Sequence, residues 1–218
     1  MGISILFEDN DLIVVSKPAG LIVGDPERED SLEFVTARQI GRKVFPFHRL
    51  DRATSGVVLL GKTRVHAAAI TQAFEKKRIR KAYLAVVNGE WPSQLGRIDT
   101  MIEGREAVTT FRRIAVGSSE SLIEALPKTG RTHQIRIHCA SAGHPIKGDT
   151  IYGLSNELDQ KPAAPREQAL HAYRLTFNHP GSGEAVSIMD LPHHWRETYL
   201  ADFDWDAIQK KFNTPKSE

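Results

Sequence analysis

The chain is almost without cysteine: Cys139 stands alone among 218 residues. One thiol cannot close an internal disulfide and offers no thiolate cluster for structural zinc. A reducing cytoplasm is therefore the expected compartment. Long apolar runs are also missing. Nothing approaches the roughly 20 residues that span a bilayer, and the start MGISILFEDN lacks the basic opening and long apolar stretch of a secretory signal. No membrane association is expected. Repeats of fixed period are absent, which excludes solenoids and propellers. Aromatic residues make up only 7% of the chain, yet the hydrophobic fraction of 40% supplies a core for an ordinary globular protein.

Acidic residues are scarce in one place. Residues 38 to 81 hold twelve Lys or Arg against Asp51 and Glu75, a net of +10, although the whole chain carries only +2. The first 37 residues hold eight acids against Lys17 and Arg28. Such a basic block inside a folded domain attracts a polyanion, and nucleic acid is the commonest one. The competing explanation is a solvated helix face across KKRIRK, residues 76 to 81.

Short β-rich runs dominate the rest: SILFE, LIVVSK, GVVLLGK, AYLAVVNG, AVTTFRRIAV, SLIEAL, ALHAYRLTF and AVSIMD. Most are bounded by Gly, Pro, Asn or Asp. Helical patterns fall near residues 31 to 40, 64 to 78, 132 to 142 and 203 to 212, with Ser31 as N-cap of the first and Thr132 as N-cap of the third. The class is α+β: a mixed, mostly antiparallel sheet with flanking helices. Residues 1 to 218 read as a single catalytic domain. A long flexible loop is expected across SNELDQKPAAPREQ and a frayed end at NTPKSE.

Two segments carry the chemistry. In HRLDRATSG, residues 48 to 56, one acid, Asp51, sits among His48, Arg49 and Arg52. Surrounding cations favour the ionised carboxylate, which is a competent nucleophile once desolvated. Thr54, Ser55 and Gly56 then turn the chain into a strand. A structural salt bridge in a loop fits the same residues about equally well on chemistry alone. In KTGRTHQIRIHCASAGHPIKGDTIYG, residues 128 to 153, Ile135, Cys139 and Ala142 share an apolar stripe. Arg136 lies beside it, a natural station for a guanidinium paired with Asp51. His133, His138 and His144 have neither zinc-finger nor His-x-x-x-His spacing, so no metal site is expected. No Gly-x-Ser-x-Gly elbow surrounds Ser55 or any other serine, which disfavours a serine hydrolase.

HRLDRATSG, KPAGL at 17 to 21 and GRTHQIRIH at 130 to 138 resemble the signatures of RluA-type RNA pseudouridine synthases. KAYLAVVNG at 81 to 89 and GHPIKGDTIYG at 143 to 153 extend the resemblance over most of residues 5 to 180. It implies the pseudouridine synthase catalytic fold and isomerisation of specific uridines in structured rRNA or tRNA stem-loops, with base flipping. No cofactor, metal or obligate protein partner is implied. Asp51 would be the catalytic aspartate and Arg136 its ion-pair partner. Tyr83 would face the uracil as a candidate proton acceptor, with Ile135 packing opposite and Arg49 filling the space that the base leaves. His48, Arg131, His133, Lys76 and Lys77 complete the candidate substrate contacts, and Lys17 and Pro18 are scaffold beneath the loop. Asp51 would attack ribose C1′ or ring C6, or promote loss of the 2′ proton. Two rivals remain: a catalytically silent RNA-binding protein or RNA-folding chaperone on this scaffold, and a glycosidase, for which no second nearby carboxylate is identifiable.

Overall fold

The computed structural model describes residues 2–153 and 167–213. Residues 155–166 of the loop expected across SNELDQKPAAPREQ and the tail after Asn213 lie outside the described residues; the last residue of that stretch, Gln168, is buried and donates its amide to the Thr54 hydroxyl at 2.7 Å, so the expected loop stops short of it. The chain opens with β1 (Ser4–Glu8) and β2 (Leu12–Lys17), followed by α1 (Leu32–Ile40), β3 (Phe45–Pro46) and β4 (Ser55–Gly61). Next come α2 (Ala67–Glu75), β5 (Arg80–Asn88), β6 (Arg97–Ile102), β7 (Arg105–Val116) and β8 (Glu120–Pro127). The last part holds α3 (Gln134–Ser141), β9 (Leu170–Asn178), β10 (Ala185–Met189), a 3-10 turn at His193–Trp195 and α4 (Trp205–Asn213).

Alternation along the central strands sorts the core into two layers. On β2, Ile13 and Val15 join the larger cluster on one face of the sheet, while Leu12 and Val14 join a smaller one on the other. On β4, Val58 and Leu60 repeat the first assignment, and Val57 and Leu59 the second. A strand points successive side chains to opposite faces, so an uninterrupted apolar run such as LIVV or VVLL demands cover on both. On the smaller face that cover includes Ile70, Ala73 and Phe74 of α2; on the larger it includes Ile135 and Cys139 of α3 and Trp205, Ile208 and Phe212 of α4.

The sheet runs β1-β2-β4-β9-β5-β8-β7-β6, with β10 beside β9 and β3 beside β4. Every pairing is antiparallel except β4 with β9, which touch only at Ser55↔His171 and Gly56↔Ala172. That short parallel contact joins the two antiparallel halves at the point where the Asp51 loop enters β4. Gly56 makes the junction feasible. Its φ is +114°, and a Cβ there would come within 2.3 Å of the Ala172 carbonyl oxygen, so only glycine fits.

The α+β class and mostly antiparallel sheet expected from the sequence are present, and Ser31 caps α1 by accepting the Phe34 N–H. Two strands were not anticipated. β6, RIDTMI, buries only Ile98 and Ile102, and a polar edge strand with two inward residues carries a weak period-2 signal. β3 has two residues and gives no periodic signal at all. Two helix assignments need correction. α2 ends at Glu75, so Lys76, Lys77 and Arg78 form an exposed turn rather than a helix face. Thr132 does not cap α3: the residue before the helix is His133, at φ 54° and without a capping side chain. Among the described residues no helix is long and apolar enough to cross a membrane.

Candidate active site

The loop that bears Asp51 is fastened from below. Thr54 N–H donates to the Asp51 carbonyl at 3.0 Å, closing a turn, and Gly20 N–H donates to the Arg52 carbonyl at 2.7 Å. Lys17, fully buried, donates its ammonium to the carbonyls of Pro18, Leu21 and Arg52 at 3.0, 2.8 and 3.2 Å. Burial lowers the Lys17 pKa to about 7, against the opposing pull of Asp51 and Glu167. Lys17 and Pro18 thus stand as the scaffold that was expected, joined to the Asp51 loop through the Arg52 carbonyl.

The charge partner of Asp51 comes from far along the chain. Arg52 turns outward to Asp30 at 3.0 Å. His48 accepts the Leu59 N–H on Nε2 at 2.9 Å, and burial together with the nearby Lys81 charge lowers its pKa to about 3. Neither local residue therefore neutralises the carboxylate, contrary to the expectation drawn from the cationic HRLDR run. Arg136 does so instead, its Nη1 lying 3.0 Å from Asp51 Oδ2.

Arg136 is itself held by a residue that the sequence did not single out. Asp149, with no side-chain exposure, receives Arg136 Nε at 2.7 Å and Nη2 at 2.8 Å. Its Oδ1 also accepts the backbone N–H groups of Ile151 and Tyr152 at 2.9 and 3.0 Å. Burial works against the Asp149 charge, but the Arg136 hydrogen bonds and the two backbone donors outweigh it and hold the carboxyl below its usual range. Burial likewise opposes the Arg136 charge and is overcome by Asp149 first and Asp51 second. The only earlier signal for Asp149 was the resemblance of GHPIKGDTIYG, to which no role was attached. A second carboxylate near Asp51 therefore exists, which corrects the expectation that none is identifiable. Enclosed and bonded to Arg136, it has no access to a sugar, and the glycosidase arrangement of two facing carboxyl groups is not formed.

Gln134 fixes where α3 begins. Its carbonyl oxygen accepts from the Thr129 hydroxyl at 2.7 Å and the Arg131 N–H at 3.0 Å. Its amide donates to the Val108 carbonyl at 3.0 Å and the Thr109 hydroxyl at 2.9 Å. Both donors and both acceptor sites of a buried amide are thereby satisfied, so the segment before α3 is pinned to β7.

Asp51 opens into a groove of about 850 Å³. His48, Arg49, Tyr83, Arg131, His133, Ile135 and Arg136 all line it, as does Lys77. Lys76 is exposed nearby but not on its wall. Seven Lys or Arg face the groove against Asp51 and Glu75 alone; Arg80, Lys81 and Lys128 are the three that sequence reading did not nominate. Arg49 is exposed and makes no hydrogen bond or ion pair within the described structure. Tyr83 leaves β5 beside a register shift at Ala82, and burial first and Asp51 second push its phenol well up. Among the described residues no cluster of His, Cys, Asp and Glu has the grouping of a metal site.

A family model described as RNA pseudouridylate synthase matches residues 11–141. An uncharacterized RNA pseudouridine synthase of Bacillus subtilis is 35% identical over 209 residues, covering 84% of this chain and 67% of its own length. The tRNA pseudouridine synthase C of Haemophilus influenzae is 33% identical over 242 residues, covering 94% of this chain and 100% of its own length. The ribosomal large subunit pseudouridine synthase D of Zymomonas mobilis is 36% identical, covering 84% of this chain and 67% of its own length. Among solved structures, human RNA pseudouridylate synthase domain containing 1 superposes with a TM-score of 0.75 at 24% identity, over 100% of this chain and 97% of that one. That superposition shows the fold.

Proposed function

The chain belongs to the RNA pseudouridylate synthase family, in its RluA-type branch, and from that premise we propose how its groove isomerises uridine to pseudouridine. Asp51 is the catalytic carboxylate, Arg136 its charge partner and Tyr83 the aromatic wall against a flipped uracil. The observation that carries this reading is one ion pair. Asp51 Oδ2 is tied to Arg136 at 3.0 Å, while the carboxylate remains 23% exposed in a groove whose charged lining residues are mostly cations.

Isomerisation breaks the C1′–N1 bond, forms C1′–C5, and moves one proton from C5 to N1. No electrons are gained or lost. A uridine stacked in RNA must first leave the stack, which costs a few kcal/mol, and less in a loop. Arg49 is exposed and unpaired, so it is placed to take the vacated position. The exposed groove cations Lys77, Arg80 and Lys128 offset the cost of extrusion by neutralising phosphates. Ile135, nearly buried on α3, and Tyr83 on β5 enclose the detached base while it turns, keeping the reacting atoms close.

Two relatives are named for tRNA and for the large ribosomal subunit, and we place the target uridines in stem-loops of those RNA classes. Residues 1 to 218 act as one catalytic unit without an obligate protein partner, in the cytoplasm. The opposing idea, an RNA-binding protein or chaperone without chemistry, is disfavoured by a carboxylate at the groove floor, where it repels phosphate unless it reacts.

The test is Asp51→Asn, an isosteric change that keeps hydrogen bonding to Arg136. Tritium release from RNA labelled at uridine C5 should be abolished, with RNA affinity kept within a few fold. Undiminished release overturns the assignment.

A further inference from the structure

Asp51 and its partners come from opposite halves of the sheet. Asp51 precedes β4, which pairs with β2 and β3, whereas Tyr83 lies on β5 and Arg136 on α3, whose first residue, Gln134, is bonded to β7. The two halves meet where β4 and β9 pair at Ser55↔His171 and Gly56↔Ala172. A ladder of two residue pairs is a short joint on which to align three groups.

Gln168, two residues before β9, extends that joint into the Asp51 loop. Its backbone N–H donates to the Ala53 carbonyl at 3.1 Å, and its buried side-chain amide donates to the Thr54 hydroxyl at 2.7 Å. Thr54 in turn gives its N–H to the Asp51 carbonyl at 3.0 Å and lines the groove. The residues on either side of Gln168 are held as well. Glu167 accepts the Ser55 hydroxyl at 2.7 Å and the Trp195 indole N–H at 3.0 Å. Ala169 donates to the Lys147 carbonyl at 2.9 Å, two residues before Asp149, and accepts the Val86 N–H of β5 at 3.0 Å. Residues 167 to 169 therefore bond the Asp51 loop on one side, and on the other both β5 and the segment whose Asp149 holds Arg136.

The carbonyls of Asp51, Arg52 and Ala53 each have a donor: Thr54 for the first, Gly20 and Lys17 for the second, Gln168 for the third. Of these donors, Gln168 alone belongs to the β9 half. One hydrogen bond to Ala53 would leave the loop able to pivot about it, whereas a second, directional bond to Thr54 fixes its orientation.

We propose that Gln168 is a positioning residue for Asp51: through Ala53 and Thr54 it sets the loop of the β4 half against Arg136 and Tyr83 of the other half. This rests on Asp51 being the catalytic carboxylate. Gln168 lies behind Thr54 and is not part of the groove wall, so its loss should be felt in the chemical step and not in the hold on RNA. A displacement of about 1 Å at a reacting group costs of order 10²-fold in rate.

The test is a double-mutant cycle read in single-turnover rate at saturating RNA and in RNA affinity. Gln168→Met has nearly the same length and keeps the backbone bond to Ala53, but has no amide; Thr54→Val keeps the shape and has no hydroxyl. Each should slow the reaction about 10- to 100-fold, with affinity unchanged within a few fold. The double variant should be no slower than the slower single one, because both changes remove the same hydrogen bond. Thr54→Ser keeps the hydroxyl and should recover most of the rate lost in Thr54→Val. A natural rate in either single variant overturns the proposal. So do losses that multiply in the double variant, or a loss of affinity that accounts for the loss of activity. If Gln168→Met does not fold, the two Thr54 variants decide: a Ser variant as slow as Val overturns it, and recovery supports it. Asp51→Asn run in parallel separates the two readings. Retained turnover there defeats the catalytic assignment itself, whereas its loss beside an unaltered Gln168→Met defeats only the role given to Gln168.

Discussion

Asp149 grips Arg136 at two nitrogens, at 2.7 and 2.8 Å, and leaves only Nη1 to reach Asp51. One guanidinium is thus shared by two carboxylates, of which one is sealed in the core and the other faces the groove. The planar fork of arginine makes this sharing feasible, since its donors point in fixed and separate directions.

Asp149→Asn is expected to damage both fold and reaction. Removing one member of a buried pair strands the other charge, a loss of about 3–5 kcal/mol, and Arg136 is then free to turn away from Asp51. A lowered thermal midpoint together with reduced kcat is the expected result. The pH dependence has a definite sign. A carboxyl held below its unfolded value stabilises the fold above about pH 4 and loses that contribution as pH falls through the folded value. The gap in melting temperature between the natural protein and Asp149→Asn should therefore narrow on acidification below pH 4. A constant gap down to pH 2 would show the pair to be without energetic weight.

Lys17→Met should lower stability and activity together, because three carbonyls beneath the Asp51 loop are deprived of their donor. A buried acceptor left unpaired costs about 1–3 kcal/mol. With its pKa lowered to about 7 in the fold and near 10.4 when unfolded, Lys17 holds fewer protons in the folded state between those values. Stability from this group therefore rises with pH across that window. Melting curves between pH 6.5 and 10 should show the rise in the natural protein and its absence in Lys17→Met.

Tyr83→Phe should fold normally, since the ring packing remains. If the hydroxyl guides the detached uracil by donating a hydrogen bond, the rate should fall toward the lower end of the range seen when a proton-handling group is removed, about 10²-fold. RNA binding should be unaffected. A phenol pushed far up by burial also predicts a rate with no alkaline break below pH 10 from this residue. Near-natural turnover in the variant would make the hydroxyl dispensable.

Neutralising basic residues should separate groove from periphery. Lys77, Arg80 and Lys128 line the groove, whereas Lys76 and Arg78 do not. Every phosphate that is no longer neutralised makes the slope of log affinity against log salt shallower by about 0.7–0.9. Lys77→Gln with Arg80→Gln should flatten that slope more than Lys76→Gln with Arg78→Gln, as read by filter binding across a salt titration. Equal slopes would place the RNA away from this wall.

Much of this architecture can be read along the chain, because it rests on local rules. The runs LIVV and VVLL need burial on both faces, Ser31 precedes a helix, and Gly56 follows a turn; each is visible in a window of a few residues. The pairing of Asp51 with Arg136 was also legible, since an acid in HRLDR and a guanidinium beside an apolar stripe invite each other. Its surroundings were not. His48 and Arg52, close to Asp51 in sequence, are directed to Leu59 and Asp30, because neighbours on an extended loop point in different directions. Asp149 and Tyr152 gave no local signal, as an aspartate in a GDT turn looks the same whether it is solvated or enclosed. Composition and order of residues specify which groups are available and which strands must be covered. Which carboxylate is buried, which histidine loses its charge and which oxygen of Asp51 stays open follow from the packing of β4, β5 and α3 around one junction. Burial and the distance between charges are properties of that assembled arrangement, and no stretch of sequence contains them.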